Sequence, residues 1–407
     1  AVVVDGSGLS FTAARSRVSE ALRQRKNQRW LKHSSAVLAA VDDNRSLCES
    51  CGAEAGQHSD RLGDERETEN DRTEEKIGDH CKRRREVGRK ARKELTRGDL
   101  EPALSLNEVL GGERLLAAVY LDADRAGEVF ASIDSADDLA RVASTVQEGT
   151  QQALTSAINT LGLAKRVVIP VLGGDDVFVL CAASRAAELL ELLWSELHDQ
   201  VTTKLQRRLG ATVTFSAGVA IAERFLPLRL LHDHAHAALR EAKEATYVTG
   251  DEPHVVVRTV GKVRRSAPEG PVFGGPLPSG LWRGWGAGAT DSRSGGPQPA
   301  PGRTLGELVR QLAAMNPSQR SGLLDDLAQE SAGVRELYVD YRRAKLDEEG
   351  SVNALAGALE TARQLADHVA RRLGRGSPRP NARITSPDVW SVLHGGILAC
   401  DLRWTND

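Results

Sequence analysis

The fold of this chain is decided by the stretch Val167-Val168-Ile169-Pro170-Val171-Leu172-Gly173-Gly174-Asp175-Asp176-Val177-Phe178-Val179-Leu180. Two short apolar, β-branched runs flank Gly-Gly-Asp-Asp, which predicts a β-hairpin with two carboxylates at its tip. Paired glycines permit positive φ angles and let a large ligand approach the backbone closely. An ordinary acidic turn uses the same residue types. The rest of the chain therefore has to decide between a plain turn and a ligand-binding one.

A second acidic pair ends an apolar strand, in the run Val119-Tyr120-Leu121-Asp122-Ala123-Asp124. Residues two apart in a strand share a face, so Asp122 and Asp124 are expected to aim at one site. If the hairpin pairs beside this strand, Asp175 and Asp176 converge with Asp122. Clustered carboxylates repel one another unless a cation neutralises them. We therefore predict two Mg²⁺ or Mn²⁺ ions on these four aspartates, as in in-line attack on a nucleotide α-phosphate. The alternative is a solvated strand end with Asp124 as a helix N-cap.

The surrounding sequence alternates between strand and helix patterns. This order favours an α+β fold of the palm, or ferredoxin-like, type. The predicted elements are a strand over 115–121, a helix over 137–161, the hairpin 166–182, a helix over 185–209, a strand over 211–222, a helix over 226–245 and a strand over 254–260.

Composition points to the cytoplasm. The 54 basic and 56 acidic residues nearly cancel to a net charge of −2, so the overall charge does not indicate nucleic-acid binding. No apolar run approaches a membrane span and no signal peptide precedes the first residues, so we expect no membrane partner. Five cysteines, with one tight pair, indicate a metal site in a reducing compartment rather than a disulfide framework.

Three further motifs accompany the acidic hairpin and narrow the interpretation. They are Phe215-Ser216-Ala217-Gly218-Val219, the turn Phe225-Leu226-Pro227-Leu228 and the helical Glu241-Ala242-Lys243. With the Asp-x-Asp strand and the Gly-Gly-Asp-Asp hairpin, they resemble the palm domain of nucleotide cyclases and GGDEF diguanylate cyclases. Most specifically, they resemble the second palm domain of the large polymerase/cyclase subunit of type III CRISPR effector complexes, in the Cmr branch.

The resemblance implies a catalytic activity in antiviral defence. It implies ATP as substrate, condensed into cyclic oligoadenylate when the assembled complex, with its other subunits and guide RNA, binds target RNA. It assigns the catalytic metal-holding role to Asp175, Asp176 and Asp122, and a nucleotide-contacting role to Lys243. Gly173, Gly174 and Ser216 are the remaining predicted nucleotide-binding residues, although Ser216 also suits simple packing in a strand and Lys243 a solvated helix face. The alternatives are a catalytically silent scaffold that binds guide RNA and partner subunits, and a cyclase making another cyclic nucleotide.

The resemblance also predicts how the whole chain divides into domains. We expect the end of a first palm-like domain over 1–46, a zinc-finger-like and charged, partly flexible insertion over 47–110, and the catalytic palm over 111–263. A Gly/Pro/Ser-rich flexible linker over 264–303 and an all-helical C-terminal domain over 304–407 complete the prediction. The chain starts within a strand-like run and shows no HD nuclease region, so we expect a truncated N-terminus and no DNA cleavage.

The insertion carries the predicted zinc site. Cys48 and Cys51 have the spacing of zinc ligands, and the resemblance implies a zinc finger between palm domains. A second Cys-x-x-Cys pair is missing, because only Cys81 follows. We therefore predict Cys48, Cys51 and Cys81 as ligands, with His80 as the fourth and His58 as the alternative.

One histidine-rich segment also resembles a metal motif. The run His232-Asp233-His234-Ala235-His236 lies in the predicted helix 226–245, among leucines and alanines at helical spacing. Surface histidines on an amphipathic helix explain this pattern better than a nuclease site does.

Overall fold

The protein is described here from a computed structural model, in two compact units. The first is Ala1–Leu104 with Ala131–Ala140, and the second is Ser105–Phe130 with Arg141–Asp407. The predicted domain over 1–46 and the predicted zinc ligand Cys51 lie outside the residues that the structure describes. Those residues are 48–49, 54–62, 73–97, 102–103, 106–210, 212–250, 252–261, 270–273, 275–282, 304–315, 318–320, 323, 349–375, 392 and 395–396.

The first unit contains a small antiparallel sheet and a charged helix. Strands β1 (His58–Leu62) and β2 (Thr73–Ile77) pair with His58 opposite Ile77, and helix α1 (Asp79–Arg97) follows directly. Arg85 and Arg89 of α1 both pair with Asp60 of β1, at 3.2 and 2.9 Å. These ion pairs hold a helix that has few apolar side chains to bury.

The second unit is built around a seven-stranded sheet with the order β4-β5-β3-β6-β7-β8, in which β9 also pairs with β7. Strands β6 and β7 are parallel, and the other pairings are antiparallel. The elements are α2 (Leu106–Leu110), β3 (Leu115–Asp124), α3 (Ala126–Ala131), α4 (Ala136–Thr160), β4 (Val168–Gly173), β5 (Asp176–Ala182), α5 (Ala186–Leu197), a π-helical turn (His198–Thr202), α6 (Thr203–Leu209), β6 (Thr214–Glu223), α7 (Leu228–Thr249), β7 (His254–Thr259), β8 (Gly270–Pro271) and β9 (Leu277–Pro278).

The central strands explain why the sequence predicted this sheet. Strand β3 is an almost uninterrupted apolar run whose residues from Leu116 to Val119 are fully buried, as expected for a strand covered on both faces. It lies between the hairpin strand β5 and β6, with Tyr120 opposite both Phe178 and Gly218. The hairpin therefore pairs beside the Asp-x-Asp strand, as predicted, and the α+β palm fold is confirmed.

Helix α7 packs closely on this sheet because of one glycine. A Cβ atom at Gly218 would lie 2.2 Å from both the Ala235 carbonyl oxygen and the Leu239 amide nitrogen. Only a residue without a side chain permits this approach of helix backbone to strand. The close contact holds one face of α7 against the row that contains Tyr120.

The predicted flexible linker over 264–303 is wrong for the part of it that the structure describes. Strands β8 and β9 extend the sheet, and Phe273 and Trp282 are almost completely buried, with their ring centroids 6.0 Å apart. The Trp282 indole donates a hydrogen bond to the Ala187 carbonyl at 3.2 Å. Glycine and proline content predicted a linker, but large aromatic side chains gain more from burial than a short irregular segment loses in ordering.

Within the region 304–407, which was predicted to be an all-helical domain, the described residues include two helices with defined bounds. They are α8 (Leu305–Ala313) and α9 (Glu349–Arg375). Thr304 caps α8, because its side chain accepts a hydrogen bond from the Glu307 amide. Of the helices described, none combines the length and the apolar character needed to cross a membrane.

Candidate nucleotide- and metal-binding site

The acidic hairpin has a two-residue tip. Strand β4 ends at Gly173, β5 begins at Asp176, and these two residues are paired. Gly174 has φ +64°, a left-handed conformation that glycine adopts without strain. No atom lies within 4 Å of where a Cβ of Gly173 or Gly174 would be. The glycines therefore leave the space above the tip open for a ligand.

The sheet register places the acidic residues of two strands side by side. Leu121 pairs with Val177, so Asp122 and Asp176 follow as the next residues on adjacent antiparallel strands. Asp122 and Asp124 share a face of β3 because they are two residues apart. After burial, the Asp122 charge is the largest cause that raises the pKa of both Asp175 and Asp176. The four predicted aspartates therefore meet at one edge of the palm.

The electrostatics of this cluster favour a cation. Burial raises the pKa of Asp175, and the Asp122 charge raises it further. The pKa of Asp176 rises for the same two reasons, in the same order. Burial also raises the pKa of Asp124, against hydrogen bonds from Ser216 and Thr214 that lower it. Among the described residues, the carboxylate oxygens of this cluster are not within 4.8 Å of one another as a group of three. Ionised carboxylates that raise one another's pKa are nevertheless costly unless positive charge is added, so the donor types suit divalent metal ions that would draw them together.

Lys243 already supplies one positive charge. Its ammonium group, on α7, forms an ion pair with Asp122 and donates a hydrogen bond to the Ala123 carbonyl at 2.9 Å. Both side chains of the ion pair are about three-quarters buried. The Lys243 charge also lowers the pKa of Asp124, Asp175 and Asp176. Lys243, for which the sequence left both possibilities open, therefore lies within the acidic cluster and not on a solvated helix face.

Ser216 has a different place from the one predicted. Its side chain is fully buried, its hydroxyl lies 2.9 Å from that of Thr246, and it hydrogen-bonds to Asp124. Thr246 in turn contacts His254 Nδ1 at 3.2 Å. The structure thus brings Ser216 into a buried polar network behind the acidic cluster, and not to the surface that a nucleotide would touch directly.

Two side chains at this site were not predicted to belong to it, since Tyr120 was given no role and His236 was assigned to an ordinary helix surface. The Tyr120 hydroxyl donates a hydrogen bond to Asp176, and the His236 charge lowers the pKa of Asp176. Tyr120 lies two residues before Asp122, so the strand period places both on one face. His236 precedes Lys243 by seven residues, which is two turns of the same helix. These two spacings could have placed Tyr120 and His236 near the acidic residues. The histidine was missed because its neighbours in the helix have the spacing of an ordinary amphipathic surface.

Lys243 provides a stability prediction. Replacing Lys243 with Met leaves Asp122 buried without its partner, so we expect the metal-free protein to lose about 1–3 kcal/mol of unfolding free energy. Adding Asp122→Asn is expected to restore most of the loss, because the uncompensated charge is gone. Urea unfolding followed by tryptophan fluorescence measures both.

An exposed ion pair serves as the control, because it shows what removing a positively charged side chain costs where the partner is not buried. Arg114 pairs with Glu223 at 2.9 Å, but the Arg114 side chain is 84% exposed. Arg114→Met is expected to cost much less than Lys243→Met. Equal losses in the two variants would contradict the role given to Lys243.

The first unit contains a second group of metal-ligating side chains. Cys48, Glu54 and Cys81 are buried, and one ligand atom from each lies within 4.8 Å of those of the others. His80, predicted as the fourth zinc ligand, is exposed and lies outside this group, and its backbone amide donates a hydrogen bond to Glu54 at 3.1 Å. The alternative ligand His58 contacts Asp79 at 2.6 Å. The structure therefore brings Glu54, rather than either histidine, to the two thiols.

Comparison with known families finds a match for the domain that contains the acidic cluster. Residues 115–247 match the family described as Cas10/Cmr2, second palm domain. The matched range holds Asp122, Asp175, Asp176 and Lys243. The match covers about a third of the chain, and it is to this domain that the similarity applies. No protein of curated function matches the chain.

Several solved structures are similar to this chain. A Csm1–Csm4 cassette in complex with cA4 shares 17% identity at a TM-score of 0.41, covering 71% of this chain and 36% of that one. Csm1 from T. onnurineus shares 17% identity at a TM-score of 0.38, covering 74% and 39%. A Csm1–Csm4 cassette in complex with one ATP shares 18% identity at a TM-score of 0.39, covering 74% and 38%. The chain thus spans little more than a third of the length of these relatives.

Proposed function

We propose that the chain acts as the cyclase part of the large subunit of a type III CRISPR effector complex in the cytoplasm. Its palm domain converts ATP into cyclic oligoadenylate after the assembled complex, with its guide RNA, binds target RNA. The observation that carries the proposal is the convergence of Asp122, Asp175 and Asp176 within the Cas10/Cmr2 palm.

Each residue of the cluster has a role in this proposal. Asp122, Asp175 and Asp176 would hold two divalent ions, and Asp124, also predicted as a ligand, lies more deeply buried behind them. Such ions, when bound, lower the pKa of a ribose hydroxyl and stabilise charge on the phosphate oxygens. Lys243 moves from Asp122 to a phosphate oxygen once a nucleotide is present, because its ammonium group is within reach of the same cluster.

The remaining residues position the acidic groups. The open backbone at Gly173 and Gly174 lets the triphosphate approach the hairpin tip. Tyr120 holds Asp176 through its hydroxyl group, and Ser216 holds Asp124. These hydrogen bonds orient the carboxylates before a ligand arrives, which lowers the cost of ordering them on binding.

The test of this function is product identification. The assembled complex is incubated with target RNA, Mn²⁺ and either ATP or GTP, and the products are analysed by mass spectrometry. Cyclic adenylate products with pyrophosphate release are expected with ATP and not with GTP. Guanine-containing products would assign a different cyclase activity, and the absence of pyrophosphate release would identify a scaffold subunit.

We further propose that the first unit binds one structural zinc ion. Cys48 and Cys81 provide thiolates, and Glu54 lies close enough to provide a carboxylate oxygen. Sulfur and carboxylate ligands suit tetrahedral zinc, and a buried site suits a structural role. Cys51, predicted from its spacing, completes this proposal as the fourth ligand.

The zinc proposal predicts a change in metal content. Purified wild-type protein is expected to hold about one zinc per chain, and Cys48→Ser and Cys81→Ser variants much less than one. Elemental analysis by mass spectrometry measures this directly. Cys181→Ala serves as the control, because that thiol is fully buried in β5 and burial raises its pKa to about 12. Undiminished zinc in Cys48→Ser would contradict the site.

A further inference from the structure

Four aromatic side chains form a continuous surface on the α7 side of the palm. The Tyr120 ring centroid lies 5.4 Å from that of Phe178, 5.6 Å from His232 and 5.7 Å from His236. The His232 ring meets Phe178 edge-on at 5.0 Å. The two histidine rings are parallel within 4°, at a distance of 6.1 Å. We call these four residues the aromatic platform.

The platform has a buried base and an accessible top. Phe178 is 5% exposed, whereas the His232 side chain is 39% exposed and His236 is also exposed. An amphipathic helix that only needed an apolar face at these positions would gain more from leucine than from two half-exposed imidazoles. The two imidazoles are therefore the part of the platform that a ligand in solvent can reach.

The platform is continuous with the acidic cluster. Tyr120 belongs to the platform and donates its hydroxyl hydrogen bond to Asp176. Phe178 lies two residues after Asp176 and shares its face of β5. A molecule whose phosphates lie at the carboxylates therefore has the platform beside it, within the same face of the sheet.

Two other uses of a histidine pair are less well supported. Among the described residues, the groups of three or more metal-ligating side chains include neither His232 nor His236. If the two histidines only bound an anion through their charge, their rings would not need to be parallel or to pack against Tyr120 and Phe178. Parallel, supported rings are instead the arrangement on which nucleobases stack.

We propose that the aromatic platform binds the base of the nucleotide whose phosphates lie at the acidic cluster. His236 and His232 offer the stacking faces, and Tyr120 and Phe178 fix their orientation. This inference rests on the proposed function, because it assumes that a nucleotide occupies the acidic cluster. It adds a binding and positioning role for two histidines that the sequence assigned to an ordinary surface.

The test compares ligands that have a base with ligands that lack one. Binding of ATP and of inorganic tripolyphosphate to the full chain is measured by titration calorimetry with Mg²⁺. His236→Ala is expected to weaken ATP binding about tenfold and to leave tripolyphosphate binding unchanged. His236→Phe, which keeps a ring without a charge, is expected to retain most of the ATP affinity, and His236→Gln is not.

Each possible result decides the question. His198→Ala, at an exposed position in the π-helical turn, is the control and is expected to bind both ligands as the wild type does. Equal losses for ATP and tripolyphosphate in both His236→Ala and His236→Phe would show phosphate binding and overturn the stacking role. Wild-type ATP affinity in a folded His236→Ala/His232→Ala variant would overturn the platform alone. If the wild type binds tripolyphosphate and no ATP, both the platform and the proposed function fail.

Discussion

Replacing Asp175 and Asp176 with asparagine is expected to abolish cyclic oligoadenylate synthesis and to raise the thermal stability of the metal-free protein. Synthesis should fall by about 10³-fold or more, because amide groups cannot neutralise and hold divalent ions as carboxylates do. Stability should rise because burial and the Asp122 charge raise the pKa of both aspartates, which means that their charged forms are disfavoured in the folded state. Product yield and the unfolding midpoint in a chelator are the two measurements.

The stability gain of this variant should depend on pH. A carboxyl group whose folded-state pKa lies above its unfolded value of 3.8 stabilises the fold while it is protonated, and that contribution is lost as pH rises through the folded-state pKa. Wild type and variant should therefore unfold at similar temperatures below about pH 4, and the difference should grow towards neutral pH.

An exposed aspartate provides the control for this variant. Asp199 lies in the π-helical turn outside the cluster, so Asp199→Asn should change neither synthesis nor the unfolding midpoint by a measurable amount. A destabilised Asp175→Asn/Asp176→Asn protein would contradict the electrostatic account even if synthesis were lost. Retained synthesis would contradict the catalytic assignment.

Replacing Gly218 with alanine is expected to cost about 3 kcal/mol of unfolding free energy, the upper end of the range for overpacking. The added methyl group would meet backbone atoms of Ala235 and Leu239 at 2.2 Å, and backbone cannot move aside as a flexible side chain can. Helix α7 would have to shift, and with it Lys243 and His236. We therefore expect weaker ATP binding in addition to the loss of stability, measured by calorimetry and urea unfolding.

A second glycine distinguishes this packing effect from the general effect of adding a methyl group. Gly88 lies within α1, and no atom is found within 4 Å of its Cβ position. Gly88→Ala should leave ATP binding unchanged and raise helix stability by about 1 kcal/mol, because alanine has the higher helix propensity. A Gly218→Ala protein as stable as the wild type would show that α7 does not pack as closely as described.

Local patterns were sufficient for the elements of the palm. The apolar run before Asp122 predicted β3, and Gly-Gly-Asp-Asp predicted the hairpin, because strand periodicity and turn chemistry depend on neighbouring residues. The prediction for the Gly/Pro-rich segment was wrong where Trp282 is buried. Composition reports the average cost of ordering a segment, whereas burial of one indole depends on a cavity that distant elements form.

The roles of individual residues at the site were also predictable only where they depend on local pattern or strand pairing. Asp122, Asp175 and Asp176 were predicted to meet because strand pairing follows from the hairpin and the register. Ser216 was expected near a nucleotide, but its orientation into the network with Thr246 depends on how α7 covers β6. His232 and His236 showed helical spacing, and spacing alone does not say what lies opposite a helix face.

By itself, the sequence determined the acidic hairpin, the Asp-x-Asp strand and the α+β order of the palm, because each is encoded in short-range periodicity and turn residues. Tertiary structure alone decided that Lys243 reaches Asp122, that Glu54 joins the two cysteines, and that two histidines lie on Tyr120 and Phe178. Apart from Cys48 and Glu54, these contacts join residues from 27 to 121 positions apart. They depend on packing distances, such as the close approach at Gly218, that no local pattern specifies.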